Sequence, residues 1–165
     1  EFNSINSVSL YVKYGIETNA NVIIGRNAGF TGDGLFRVAI GDFAGQNNQR
    51  EGAIAVGDGA GLTSQNLYAV AVGSYAGFTS QSESSVAIGS SAGSNSQRQR
   101  SVAIGHAAGR VKQGIDISGS APFDGQAVAV GYAAGATSQQ QGAVVTVPVL
   151  IVREEKPWAW DTKQV

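Results

Sequence analysis

The sequence predicts an all-β chain, a parallel β-roll or solenoid of 16-residue coils. Three observations carry that expectation. An apolar triplet, a glycine, two variable residues and Ala-Gly recur seven times. The leading glycines Gly25, Gly41, Gly57, Gly73, Gly89 and Gly105 are 16 residues apart, and Gly131 follows after 26. So short and fixed a period means coils that stack, rather than one globular core. The triplets are also β-branched at both ends, as strands favour. Antiparallel hairpins in a sandwich are the competing arrangement, but hairpin loops drift in length where this spacing does not.

Composition narrows the function classes. The 165 residues include 23 glycines, 14% charged residues, no Cys and no Met. Glycine-rich, charge-poor chains tend to disorder when aliphatic residues are scarce, but here Val and Ile recur on schedule. The formal net charge of −1 offers no basic field, so nucleic acid is not an expected partner. No apolar run approaches the ~20 residues of a membrane helix, so direct membrane insertion is not expected. Glu1-Phe2-Asn3-Ser4 does not open a signal peptide. Absence of Cys removes thiolate catalysis and Cys-based metal sites.

Residues 1–21 lie outside the register. Val8, Leu10, Val12 and Tyr14 alternate there, which predicts an N-terminal capping strand. The solenoid is expected over residues 22–142. In its fifth copy, residues 85–100, Val86 and Ile88 share one strand face and Ala87 takes the other. The larger side chains are expected in the core and Ala outside. Gly89 permits the first turn, Ala92 a close approach, and Gly93 a second bend. Ser94-Asn95-Ser96-Gln97 supplies a short second strand. At about 4.8 Å per coil, the seven copies make a rod of about 34 Å.

Stacking turns each position into a column. Ala39, Ala55, Ala71, Ala87, Ala103 and Ala129 never give way to a polar residue, whereas a solvated strand face alternates to Thr, Lys or Glu. The expectation is a subunit interface in a homotrimer; the other arrangement is a one-chain roll that buries Ala in its own turns. Gln49, Gln65, Gln81, Gln97, Gln113 and Gln139 form an amide column suited to a scaffold ladder. Gly25, Gly41, Gly57, Gly73, Gly89, Gly105 and Gly131 are expected as structural turns. Thr31, Thr63, Thr79 and Thr137, with Asn47, Asn95 and Val111 interrupting, form a face that an ordered surface such as ice would require.

The column after the first glycine, Arg26, Asp42, Asp58, Ser74, Ser90, His106 and Tyr132, varies as exposed positions do. Asp42 and Asp58 stack as like charges, with Arg26 one coil earlier to offset them. Two carboxylates are few for a calcium ion that takes about 6–8 oxygens, so no metal site is read. No cofactor is implied either. The ten extra residues before Gly131 predict a loop insertion near 110–125, with Phe123 and Asp124 as candidate receptor or partner contacts. Residues 143–165 read as a degenerate last coil, in which Val144-Val145-Thr146-Val147 imitates the triplet, followed by an extension. There Trp158 and Trp160 suit a sugar ring or an interface.

Ser85-Val86-Ala87-Ile88-Gly89-Ser90-Ser91-Ala92 returns as Ser101-Val102-Ala103-Ile104-Gly105-His106-Ala107-Ala108. This phrase resembles the head repeats of trimeric autotransporter adhesins, the YadA-like family. With Ser64-Gln65, Ser80-Gln81 and Ser96-Gln97 it also resembles repeats in surface fibre and virion proteins of large DNA viruses and phages. The resemblance spans about residues 22–142. It implies a left-handed roll, a homotrimer, and an extracellular place on a cell or virion surface. Expected partners are the chain itself, a host-surface protein or glycan, and neighbouring fibre or capsid proteins. No heptad pattern of a stalk occurs in the sequence.

An enzyme is not expected. His106 sits in a variable turn with no acid or nucleophile at a matching spacing. Gly57-Asp58-Gly59-Ala60-Gly61 lacks the Lys-Ser/Thr of a phosphate loop. The expected function is a structural and attachment module of a fibre, spike or adhesin. The alternative is a β-solenoid that binds an ordered surface such as ice.

Overall fold

Each triplet forms a strand, and each strand pairs in parallel with its copy in the next coil. The computed structural model describes residues 21–32, 34–114 and 125–146. Among the described residues there is no helix. The first sheet stacks eight strands: β1 (Val22–Ile24), β2 (Val38–Ile40), β3 (Ile54–Val56), β5 (Val70–Val72), β7 (Val86–Ile88), β9 (Val102–Ile104), β10 (Val128–Val130) and β11 (Val144–Thr146). The second contains β4 (Thr63–Gln65), β6 (Thr79–Gln81) and β8 (Asn95–Gln97). Single bridges Asn47 to Thr63, Asn95 to Val111 and Val111 to Thr137 extend the second ladder. Register is strict, with Ala55 opposite Ala71, Ala71 opposite Ala87 and Ala87 opposite Ala103. The result is the parallel β-solenoid of about seven turns that the period predicts.

The facing of the strands differs from expectation. Ala39, Ala55, Ala71, Ala87, Ala103 and Ala129 have no exposed surface and form the core with Ala44, Ala60, Ala76, Ala92 and Ala108. They line the lumen of a single chain, so they are not its subunit interface. Val and Ile take the outer face instead. The cause is space. A Cβ on Gly77 would lie 3.2 Å from the Ala71 Cβ across the lumen and 2.5 Å from the Gln81 Oε1. Two ladders this close admit Ala, glycine and one amide, and nothing branched.

The ends of the lumen obey the same rule in reverse. In the column otherwise held by Ala, Ile23 lies against Gly29 at one end and Val145 packs on the core at the other. Among the described residues, each of these two has a neighbouring coil on one side only. The expected capping strand lies almost wholly outside the described residues. From its last residue, Asn21 Oδ1 accepts the Arg37 backbone N–H at 3.0 Å.

Each leading glycine meets the carbonyl of the next one. At Gly73 φ is 123°, and an added Cβ would come within 2.7 Å of the Gly89 carbonyl carbon. Both the angle and the approach exclude other residues.

The ten extra residues enter at a single coil position. Gly114 N–H donates to the Gln139 carbonyl, as Arg98 N–H does to Gln113 one coil earlier. Gly125 bridges Gln99, the residue after Arg98. Residues 115–124 therefore separate two positions that are consecutive in every other coil, and the candidate contacts Phe123 and Asp124 lie outside the described residues.

Two outcomes follow from the spacing. Ala87→Leu and Gly73→Val should each lower stability by more than about 2 kcal/mol in thermal melts followed by circular dichroism, while Ser74→Ala stays near neutral. Deleting residues 115–124, so that Gly114 joins Gly125, should restore a 16-residue coil and leave the melting temperature within a few degrees of the parent's. A collapse of the melt on deletion would show that the inserted residues brace the stack.

Candidate functional site

Three surfaces of the coil could carry chemistry: the amide column inside, the apolar sheet face outside, and the turn between the two sheets.

The Gln column is buried from Gln49 to Gln113 and nearly so at Gln139. Gln65 Nε2 donates to the Ile54 carbonyl at 2.6 Å, the Ala69 carbonyl at 3.1 Å and Gln81 Oε1 at 3.2 Å. Gln81 repeats the pattern with Val70, Ser85 and Gln97. Each amide thus closes one coil and links it to the next. Its position four residues after the second glycine is structural, since that glycine is where the amide oxygen packs. These contacts use the amides for scaffolding. The oxygens of Gln49, Gln113 and Gln139 have no donor.

The outer face of the first sheet is apolar from β1 through β10. Every outward position from Val38 to Val130 is Val or Ile, half-buried or exposed, with Ile88, Ile104 and Val130 all near 38% exposed. The sequence reading missed this face because it placed these side chains in the core.

The opposite sheet offers less. Thr79 Oγ1 donates to the Ser94 carbonyl at 3.0 Å and Thr31 Oγ1 to the Gln46 carbonyl at 3.3 Å. These hydroxyl protons are spent along the rod, which does not favour a flat ice-ordering surface.

The turn face holds a shallow groove of about 730 Å³ over the second to fourth coils. Phe43, Leu62, Tyr75 and Phe78 line it, with Asp42, Asp58 and Gln46 among the polar groups. The Arg26 guanidinium binds Asp42 at 2.9 Å and lies 5.1 Å from the Phe43 ring centre. That ion pair is the offset expected for the stacked carboxylates; with both partners about half exposed or more, it adds little stability. His106 stacks on Tyr132 with ring centres 5.2 Å apart. No group of three or more potential metal ligands occurs among the described residues. Trp158 and Trp160 lie outside them.

No family model, curated protein or solved structure matches the chain.

Gln81→Glu tests the amide column. A carboxylate there has no proton for the Val70 and Ser85 carbonyls, and burial raises its folded pKa above the ordinary value of about 4.3. The variant should be destabilised by about 3 kcal/mol or more at pH 7. A group with a raised folded pKa is least harmful when protonated in both states. Urea melts should therefore show the deficit shrinking as pH falls through the folded pKa toward 4.

Proposed function

We propose that this chain is a non-enzymatic structural and attachment module that self-associates through the outer Val/Ile face, as part of a surface fibre, spike or adhesin. The observation that carries the reading is the apolar strip along the rod. Single exposed aliphatic residues are ordinary, but a continuous file of them over successive coils marks an interaction surface. A second copy is the occupant argued for, because the strip is as regular and as straight as the solenoid itself. A homotrimer and a left-handed roll are the forms implied by the resemblance to YadA-like head repeats. In this reading the rod supplies stiffness and repeated presentation, and weak contacts gain strength through multiplicity. An extracellular place on a cell or virion surface belongs to the same reading, as do contacts to host-surface or neighbouring fibre and capsid proteins.

Sedimentation equilibrium tests the assembly. The parent chain is expected to run as a trimer, and the triple variant Ile88→Lys, Ile104→Lys, Val130→Lys as a folded monomer with an unchanged far-ultraviolet spectrum. A parent chain that stays monomeric at about 100 μM, where even weak interfaces populate, would overturn the reading.

A further inference from the structure

The turn face allows an inference that deepens the attachment reading, on which it rests only for its biological setting. We infer that the groove between Phe43 and Tyr75 is a binding site for an uncharged pyranose oligosaccharide.

The repeat itself is the control. Tyr75 shares its column with Ser91, Ala107 and Ala133, and all four hold nearly the same backbone angle, φ 53–57°. Phe78 shares its column with Ser94, Arg110 and Ala136, and Asp58 with Ser74, Ser90, His106 and Tyr132. The coil after Tyr75 closes with Ser90, Ser91 and Ser94 at these three positions, so the fold does not demand aromatic rings or a carboxylate here. The left-handed angle makes the point sharper. A bulky aromatic at positive φ is disfavoured, and such local strain gathers at functional sites. Phe43, at φ 56°, is the second aromatic held this way beside the groove.

Its neighbours hold the Tyr75 ring in place. Gly59 stands in the same column between Phe43 and Tyr75, and its missing side chain leaves the room that the Tyr75 ring fills. Tyr75 Cδ1 lies 3.1 Å from where a Gly59 Cβ would sit. Phe78 braces Tyr75 edge-on, centres 5.3 Å apart at 64°, and Tyr75 remains 46% exposed. A ring face is thus fixed and open to solvent.

The polar groups set the ligand class. The Asp58 side chain is exposed and its carboxylate has no hydrogen bond or ion pair among the described residues, so it is open to accept from a hydroxyl. Gln46 has its oxygen 3.5 Å from Asn47 Nδ2, which leaves its own amide nitrogen to donate. An aromatic face, an acceptor and a donor match the C–H face and the vicinal hydroxyls of a sugar ring. Arg26 already neutralises Asp42, so the groove keeps one negative charge and disfavours sulfated or sialylated chains. Its volume lies within the usual range for small-ligand sites, about 300–1,000 Å³.

Saturation-transfer NMR with cellotriose, chitotriose and galactotriose as probes tests the site. At least one should receive saturation from the protein, with a Kd of about 1 mM as expected for an open groove. The double variant Tyr75→Ser, Phe78→Ser copies Ser91 and Ser94 of the next coil, and should weaken binding by about tenfold or more with an unaltered melt. Asp58→Ser, which copies Ser74 and removes no contact within the described residues, should weaken it by about fivefold and serves if the double variant fails to fold. The site is overturned if none of the three sugars binds, if binding survives both variants, or if arginine methyl ester binds more tightly than every sugar. None of those results would alter the sedimentation behaviour, so a failure here is distinguishable from a failure of the assembly.

Discussion

The distance between the two parallel ladders governs the rest of the coil. The lumen they enclose is so thin that a methyl group placed on Gly77 would meet the Ala71 Cβ at 3.2 Å. Only Ala, glycine and a single planar amide occupy it along the middle of the rod. The amide adds a side-chain donor to the carbonyls of Val70 and Ser85, the second of which also accepts the Val70 N–H at 2.9 Å. A buried carbonyl without a donor costs about 1–3 kcal/mol. A leucine would fill comparable space but supply no proton to those oxygens and no link to Gln97. Glutamine fills it and spends both protons, at 2.6 Å to Val70 and 3.3 Å to Ser85, with Gln97 sharing at 3.4 Å.

A lumen lined with methyl groups yields little hydrophobic free energy, about 0.8 kcal/mol per buried carbon. Cohesion within one chain therefore leans on the backbone ladders, which run through the coils with parallel pairing and few interruptions. The larger apolar side chains, each worth about 1.5–3 kcal/mol when fully covered, stand on the outer face half-covered. Much of the apolar side-chain surface is thus left uncovered on that face, which is what supports the proposed self-association. The same thinness keeps branched side chains out of the middle of the column, and Ile23 and Val145 take their places at its two described ends.

The period, the strands, the turning glycines and the amide ladder were legible because each is a column with one chemical meaning. The facing was not. A three-residue strand offers two faces, and a rule that puts the larger apolar residues inside chose the wrong one. The signal that would have decided it was size: a column that holds Ala in six successive copies marks a steric ceiling as well as a lack of polarity. The groove was hidden for a different reason. Its residues sit in columns whose variability reads as tolerance, and Phe43 joins Tyr75 and Phe78 on one face only when coils are superposed at a two-coil offset. The turn position of Asp42 and Asp58 was legible, and so was the role of Arg26, since stacking fixes which charges meet.

The outer Val/Ile column needs a cause that the lumen does not provide. Strand propensity alone is insufficient, because Thr is equally β-branched, forms strands as readily and is better suited to water. Thr146 shows that the backbone accepts it at an outward position, in the exposed end strand β11. Yet from β1 through β10 no outward position of the first sheet carries Thr, while the second sheet carries Thr63 and Thr79. Two sheets of one coil, alike in length and pairing, are thus treated oppositely on their outer faces. Backbone requirements common to both cannot produce that difference. Burial of one face against a partner can, and in the proposed assembly that partner is a second copy, whose coils rise at the same interval and so present an apolar file of the same spacing.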